Sequence, residues 1–227
     1  MADSRGGLTR RYFMQSASSG LGMVAASASV SPGEGRPAAG PVRRGARLPR
    51  EVWIASVSQN GLQADSVESM SRQMFRRMQE VVPFEPDIIC LPEVFPFVNL
   101  SSGRPPLADS SEEPIGRFSR PFADFAAKHE CHVVCPIYTV ENGRYYNAAV
   151  FIDRNGQSLG QYRKMHPTTG EMEGGIMPGS PEPPVFKTDI GILGAQICFD
   201  IEWYDGWRKL REKGAELNGT SIRAMSY

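Results

Sequence analysis

Three residues whose chemistry could be joined stand where apolar runs stop. Glu93 ends "DIICLPE", Lys164 ends "GQYRK" and Cys198 ends "IGILGAQIC". Strand ends are where a rigid scaffold presents side chains to a pocket. A thiol, a carboxylate and an ammonium in one pocket could carry out acyl transfer through a covalent thioester. The thiol must reach its thiolate form to attack an amide. A nearby ammonium would lower its pKa, and a carboxylate could take its proton. Negative charge then grows on the substrate oxygen, where Lys164 and the backbone N–H of Phe199 could stabilise it. Glu93 would protonate the leaving nitrogen and later activate water. The scheme calls for no cofactor and no metal. Taken singly, the three are a core thiol, a loop acid and a solvated strand end.

The elements that must position them can be read in order. "EVWIASVSQ" (51–59) has strand chemistry. Val67, Met70, Met74, Met78 and Val81 recur at helical spacing, with Asp65 and Glu68 as an expected capping box. A second strand is expected over 86–93. Phe118, Phe122, Phe125 and Ala126 share one face of a second helix. "CHVVCPIYTV" and "YYNAAVFID" flank Asn142-Gly143, a strong hairpin signal, and Asn155-Gly156 turns the chain into "SLGQYRK". Residues 165–184 form a Gly/Pro-rich loop long enough to suggest a functional role. "PVFKTD" and "IGILGAQICF" make a last hairpin, and "YDGWRKLREKGAE" a last helix. Strand–helix units followed by hairpins predict α+β, with helices covering a mixed sheet.

Composition narrows the function classes. Lys and Arg number 25, as do Asp and Glu, so no net field points to nucleic acid or an anionic membrane. No apolar run approaches the roughly 18 residues of a membrane span. The N-terminus is different in kind. Arg10 and Arg11 precede an Ala/Ser/Gly-rich apolar run ending in Ala26-Ser27-Ala28, the order of an export signal. "TRRYFMQ" resembles the twin-arginine motif, so residues 1–28 are expected to direct export to the periplasm; without that signal the location would be cytoplasmic. Residues 29–50, rich in Pro, Gly and Arg, read as a linker, and the domain spans 51–227. Cys131 and Cys135 lie about 13 Å apart at strand rise, too far to bridge, with His132 on the opposite face. Both are expected in the core.

Together and in order, "CLPEVF", "GQYRKMHP" and "GILGAQICFDIEW" resemble the motifs of the nitrilase superfamily of carbon–nitrogen hydrolases. The resemblance runs from about Glu51 to about Leu217. It implies a four-layer α-β-β-α sandwich and a triad of Glu93, Lys164 and Cys198. Many members carry a second glutamate after the lysine. Glu173, followed by Gly and then Pro-Gly, is the better match in "EMEGGIMPG", with Glu171 in reserve. Asp200 matches an acidic position expected to fix the nucleophile's turn. His166, Tyr138 and Asn147 are further candidates to face the pocket, and Phe97, Trp203 and Tyr204 to shape it. Nitrilases proper usually follow the cysteine with Trp-Glu; Phe199-Asp200 is closer to the amidase and carbamoyl-amide branches. The expected substrate is a linear amide or N-carbamoyl compound, and members commonly build homo-oligomers.

One stretch departs from the family pattern. After "KGAEL" another apolar strand is expected, yet "NGTSIRAMSY" is polar and lacks alternation. The sandwich is therefore expected to be incomplete at the C-terminus. Two alternatives to a hydrolase follow: a catalytically impaired remnant or binding protein of the same fold, and an N-acyltransferase.

Overall fold

The computed structural model describes residues 51–221; the expected export signal and linker, and residues 222–227, lie outside them. The chain runs β1 (Ile54–Ser56), α1 (Val67–Val81), β2 (Ile88–Cys90), α2 (Leu107–Ser110), β3 (Ser111–Glu112) and α3 (Arg120–His129). It continues through β4 (His132–Glu141), β5 (Arg144–Ile152), β6 (Ser158–Arg163), α4 (Thr169–Glu173), β7 (Phe186–Thr188), β8 (Gly191–Ile197), α5 (Tyr204–Glu212) and β9 (Leu217–Ser221). Among the described residues no helix is long and apolar enough to cross a membrane.

Alternation along the strands builds the layers. Val133, Cys135 and Ile137 on β4 point one way, and with Ile89, Val150 and Ile152 they meet Met74 and Met78 of α1 and Phe122 and Phe125 of α3. Val134 on β4, with Ile88, Ala149 and Phe151, points the other way and packs on Phe186, Leu193, Ala195 and Ile197. The first sheet therefore carries helices on one face and a second sheet on the other. The alternate side of β8 faces α5: a Cβ at Gly194 would lie 2.8 Å from Leu210 Cδ2. Helix, sheet, sheet and helix make the four expected layers in a mixed α+β fold. Met70, Met74 and Met78 are fully buried, each worth roughly 1.5–3 kcal/mol in area removed from water.

The first sheet has the order β1-β2-β4-β5-β6, with β3 alongside β4. Its β1, β2 and β4 are parallel, whereas β4, β5 and β6 form antiparallel hairpins. Asn142 and Gly143 both take positive φ, 50° and 72°, as a type I′ turn between Glu141 and Arg144 requires. Helix α1 is capped by Ser66, one residue after the expected Asp65; the Ser66 hydroxyl accepts from the Ser69 amide. Cys131 and Cys135 are buried among the helix-facing core residues, and all four cysteines are free.

The polar stretch after Leu217 corrects the sequence expectation. Leu217–Ser221 forms β9, parallel to β8, with Leu193 opposite Leu217 and Ile197 opposite Ser221. Parallel pairing is made by the main chain, so it needs no side-chain alternation. Leu217 supplies the apolar contact to the inter-sheet core.

Candidate active site

Each site residue follows a strand by one or a few positions. Glu93 comes after β2, where Leu91 still donates its N–H to Val134 O at 3.1 Å. Lys164 follows β6 directly; its N–H donates to Asn147 O at 2.8 Å, and its carbonyl accepts from Gly179 N at 2.8 Å. Gly179 permits that approach: a Cβ there would sit 2.3 Å from Arg163 O. Cys198 follows β8 and takes φ +47°, a left-handed conformation that costs a non-glycine residue roughly 1–2 kcal/mol.

Asp200 holds that turn in place. Buried to 1 % exposure, its carboxylate accepts from Ile197 N at 3.0 Å, Tyr162 Oη at 2.7 Å and His166 N at 2.8 Å. It thereby ties the end of β8 to β6 and to the loop carrying Lys164. His166 approaches Asp200 through Nδ1 at 3.1 Å and stacks on Trp203, with ring centroids 4.8 Å apart. Phe199 is the second residue of the 3₁₀ turn Cys198–Glu202, so its N–H belongs to the first turn, where amides lack acceptors within the helix.

At the centre lies Lys164, 2 % exposed. Its Nζ donates to Glu93 Oε1 at 2.9 Å and to Glu171 Oε2 at 2.8 Å. Asn147 Nδ2 donates to Glu93 Oε1 and to Glu171 Oε1, both at 2.7 Å. Glu171 Oε2 also accepts from Thr168 N at 2.8 Å, while the Thr168 hydroxyl accepts from Glu171 N at 3.3 Å. This is a capping box at the start of α4.

Of the two glutamates in the loop, Glu171 therefore meets the lysine, and Glu173 is exposed. The reason is local. Thr168 caps α4, so the third residue of the helix is turned back towards the cap and Lys164, whereas Glu173 lies at the far end of the same short helix. The spacing Thr168-x-x-Glu171 was the signal that could have chosen between them.

The electrostatics follow from these contacts. Burial alone would depress the Lys164 ammonium, but Glu93 and Glu171 outweigh it and hold the lysine above its ordinary value. Burial opposes the Glu171 carboxylate as well; the bonds from Lys164, Asn147 and Thr168 win and hold it below the usual carboxylate range. Cys198 goes the other way to the sequence expectation of a lowered pKa. Burial and the facing Glu93 carboxylate raise the thiol, and Lys164 offsets only part of that. The lysine's charge is already shared between two carboxylates, so the Cys198 thiol favours its protonated form.

Other candidates are placed outside this cluster. Phe97 and Tyr138 are buried together with Val67, Val94 and Phe118, their rings stacked at 5.5 Å. Trp203 and Tyr204 are exposed at the start of α5. Asn147 is the sequence candidate whose contacts were not foreseen.

The model of the family described as "Carbon-nitrogen hydrolase" matches residues 55–225, more than half of the chain. The chain belongs to the carbon–nitrogen hydrolase family. Among curated carbon–nitrogen hydrolase relatives, the deaminated glutathione amidase of Synechocystis sp. (strain PCC 6803 / GT-S) is 35 % identical over 86 residues, which is 34 % of this chain and 32 % of that protein. A carbon–nitrogen hydrolase from Helicobacter pylori G27 shares the fold with a TM-score of 0.63 at 19 % identity, covering 78 % of this chain and 61 % of that one. An amidase from Nesterenkonia sp. AN1, solved with acrylamide added to its active-site cysteine, has a TM-score of 0.61 at 18 % identity, covering 76 % and 67 %. The match thus spans about a third of the curated relative and under two thirds of the Helicobacter chain.

Proposed function

We propose that this protein hydrolyses the C–N bond of a linear amide or N-carbamoyl compound through a thioester on Cys198, releasing ammonia or an amine. The observation that carries this reading is the buried Lys164 ammonium bridging Glu93 and Glu171, beside a half-buried Cys198 held at φ +47° at a strand end.

Because the resting thiol is protonated, attack and deprotonation go together. Cys198 Sγ bonds to the substrate carbonyl carbon as Glu93 takes the thiol proton. Negative charge developing on the substrate oxygen is met by the Lys164 ammonium and the Phe199 N–H. Glu93 returns the proton to the leaving nitrogen, the C–N bond breaks, and a thioester remains. Water then attacks the thioester carbonyl while giving a proton to Glu93. Collapse of that intermediate frees the acid and restores the thiol with the same proton. Glu171 has both oxygens engaged by Lys164, Asn147 and Thr168, which suits it to orienting the lysine and not to moving protons. The amidase relatives and the Phe199-Asp200 pair after the cysteine support an amide over a nitrile.

The test is ammonia release from a panel of amides, N-carbamoyl amino acids and nitriles, comparing the protein with its Cys198→Ala variant. Release from an amide or carbamoyl compound that vanishes in Cys198→Ala is expected. Release unaffected by the substitution, or none from any compound, contradicts the reading. Transfer to an added amine in preference to water would make the protein an acyltransferase.

A further inference from the structure

Asn147 is 1 % exposed on β5 and does three things at once. Its carbonyl accepts the Lys164 N–H, which sets the lysine's backbone. The two hydrogens of its single Nδ2 go to two different carboxylates, Glu93 Oε1 and Glu171 Oε1, each at 2.7 Å. With Lys164 Nζ donating to the same pair, the four groups close a ring: lysine, Glu93, asparagine, Glu171. The amide's orientation is set by these donors, since a flip would turn Oδ1 against two carboxylates. Oδ1 itself has no partner among the described residues.

Charge explains why a donor is needed there. Two carboxylates around one ammonium leave a unit of negative charge unmatched in a buried site, and like charges so placed tend to share a proton. The titratable groups that converge here are Glu93 after β2, Lys164 after β6, Glu171 on α4 and Cys198 after β8. Asn147 from β5 adds donors without adding charge. Both bonds to Glu93 fall on Oε1, which leaves Oε2 for the thiol, whereas Glu171 has both oxygens occupied.

We propose that Asn147 is the positioning residue that makes two chemically identical glutamates unequal, locking Glu171 against the lysine and turning only Glu93 towards Cys198. This rests on the thioester reading of the site, and it predicts a signature that a purely structural asparagine would not leave.

The experiment compares the protein with Asn147→Ala, and with the isosteric Asn147→Asp should the alanine variant fail to fold. Three readouts are taken: kcat and KM for ammonia release against pH, alkylation of Cys198 by iodoacetamide against pH, and the melting temperature. In Asn147→Ala, kcat should fall about 10–100-fold with KM within about threefold, as expected for the loss of charge-assisted bonds. Without the amide donors the buried pair of carboxylates loses two of its hydrogen bonds, so the acid limb of both profiles should move to higher pH. Asn147→Asp, which places a third acceptor against the pair, should move it at least as far. A lowered melting temperature with both limbs where the unsubstituted protein has them would overturn the proposal. Alkylation needs no amide substrate, so the two readings fail separately. A shifted alkylation limb in a protein that releases no ammonia sinks the hydrolase reading alone, and an unmoved limb beside Cys198-dependent release sinks the role of Asn147 alone.

Discussion

Replacing Glu171 by Gln tests which glutamate serves the lysine. The carboxylate is largely buried, with 15 % of its side chain exposed, and accepts from Lys164 Nζ, Asn147 Nδ2 and Thr168 N. A glutamine there must aim its own NH2 at one of these donors. Facing Lys164 and Thr168 it forfeits two bonds; facing Asn147 it forfeits one and keeps a neutral acceptor for the others. The second arrangement costs less, about one charge-assisted hydrogen bond together with the weakening of two more. At about 1.5–3 kcal/mol per bond to a charged group, the net loss is about 2–3 kcal/mol. Lys164 would then keep only a neutral acceptor at position 171 and lean mainly on Glu93, and the orientation of both should suffer. At 1.36 kcal/mol per tenfold, kcat/KM for the best amide should fall roughly 30–150-fold, measured as ammonia release per titratable Cys198. Glu173→Gln, at an exposed position, should stay within about twofold. Equal losses in the two variants, or a loss confined to Glu173→Gln, would show that Glu171 is not the glutamate serving Lys164.

Two further outcomes follow from the same geometry. Asp200→Ala strands Tyr162 Oη, Ile197 N and His166 N without their acceptor. At about 1–3 kcal/mol for each group left unpaired, the protein should lose at least about 3 kcal/mol, which corresponds to roughly 6–12 °C in Tm, and a change under about 2 °C would show the turn held by something else. Glu171 has a folded-state pKa below its unfolded value, so its contribution to stability is present above the unfolded value of about 4.3 and is lost as pH falls through the folded one. The drop in Tm on acidification below about pH 4.5 should therefore be shallower in Glu171→Gln; parallel curves would show that Glu171 carries no such linkage.

The parts of this site that could be read in the sequence are those written as one-dimensional patterns. Glu93, Lys164 and Cys198 each close an apolar run, and the turns at Asn142-Gly143 and Asn155-Gly156 mark where β5 begins and ends. The alternation in "CHVVCPIY" correctly assigned Cys131 and Cys135 to the core. What escaped depends on three-dimensional adjacency. The thiol's upward shift comes from burial and the facing Glu93 carboxylate, which the ammonium shared with Glu171 offsets only in part, and spacing shows none of this. Asn147 reaches Glu93 across 54 positions and Glu171 across 24 because β5 passes between them. Strand β9 was illegible for another reason: a parallel strand in "LNGTS" is held by its main chain, and its side chains carry no period to detect. Glu171 was legible in principle through its capping box, yet the Glu-Gly and Pro-Gly pattern drew the choice to Glu173.

The proposed hydrolysis depends on substrate becoming covalently attached to Cys198. Mixing the protein with its best amide, quenching in acid within the first turnover and weighing the intact chain tests this directly. A mass increase of the acyl group less the thiol hydrogen is expected, mapped to the peptide containing Cys198, discharged by hydroxylamine and absent from Cys198→Ala. Ammonia release that proceeds with no adduct at any quench time, and continues in Cys198→Ala, would contradict it.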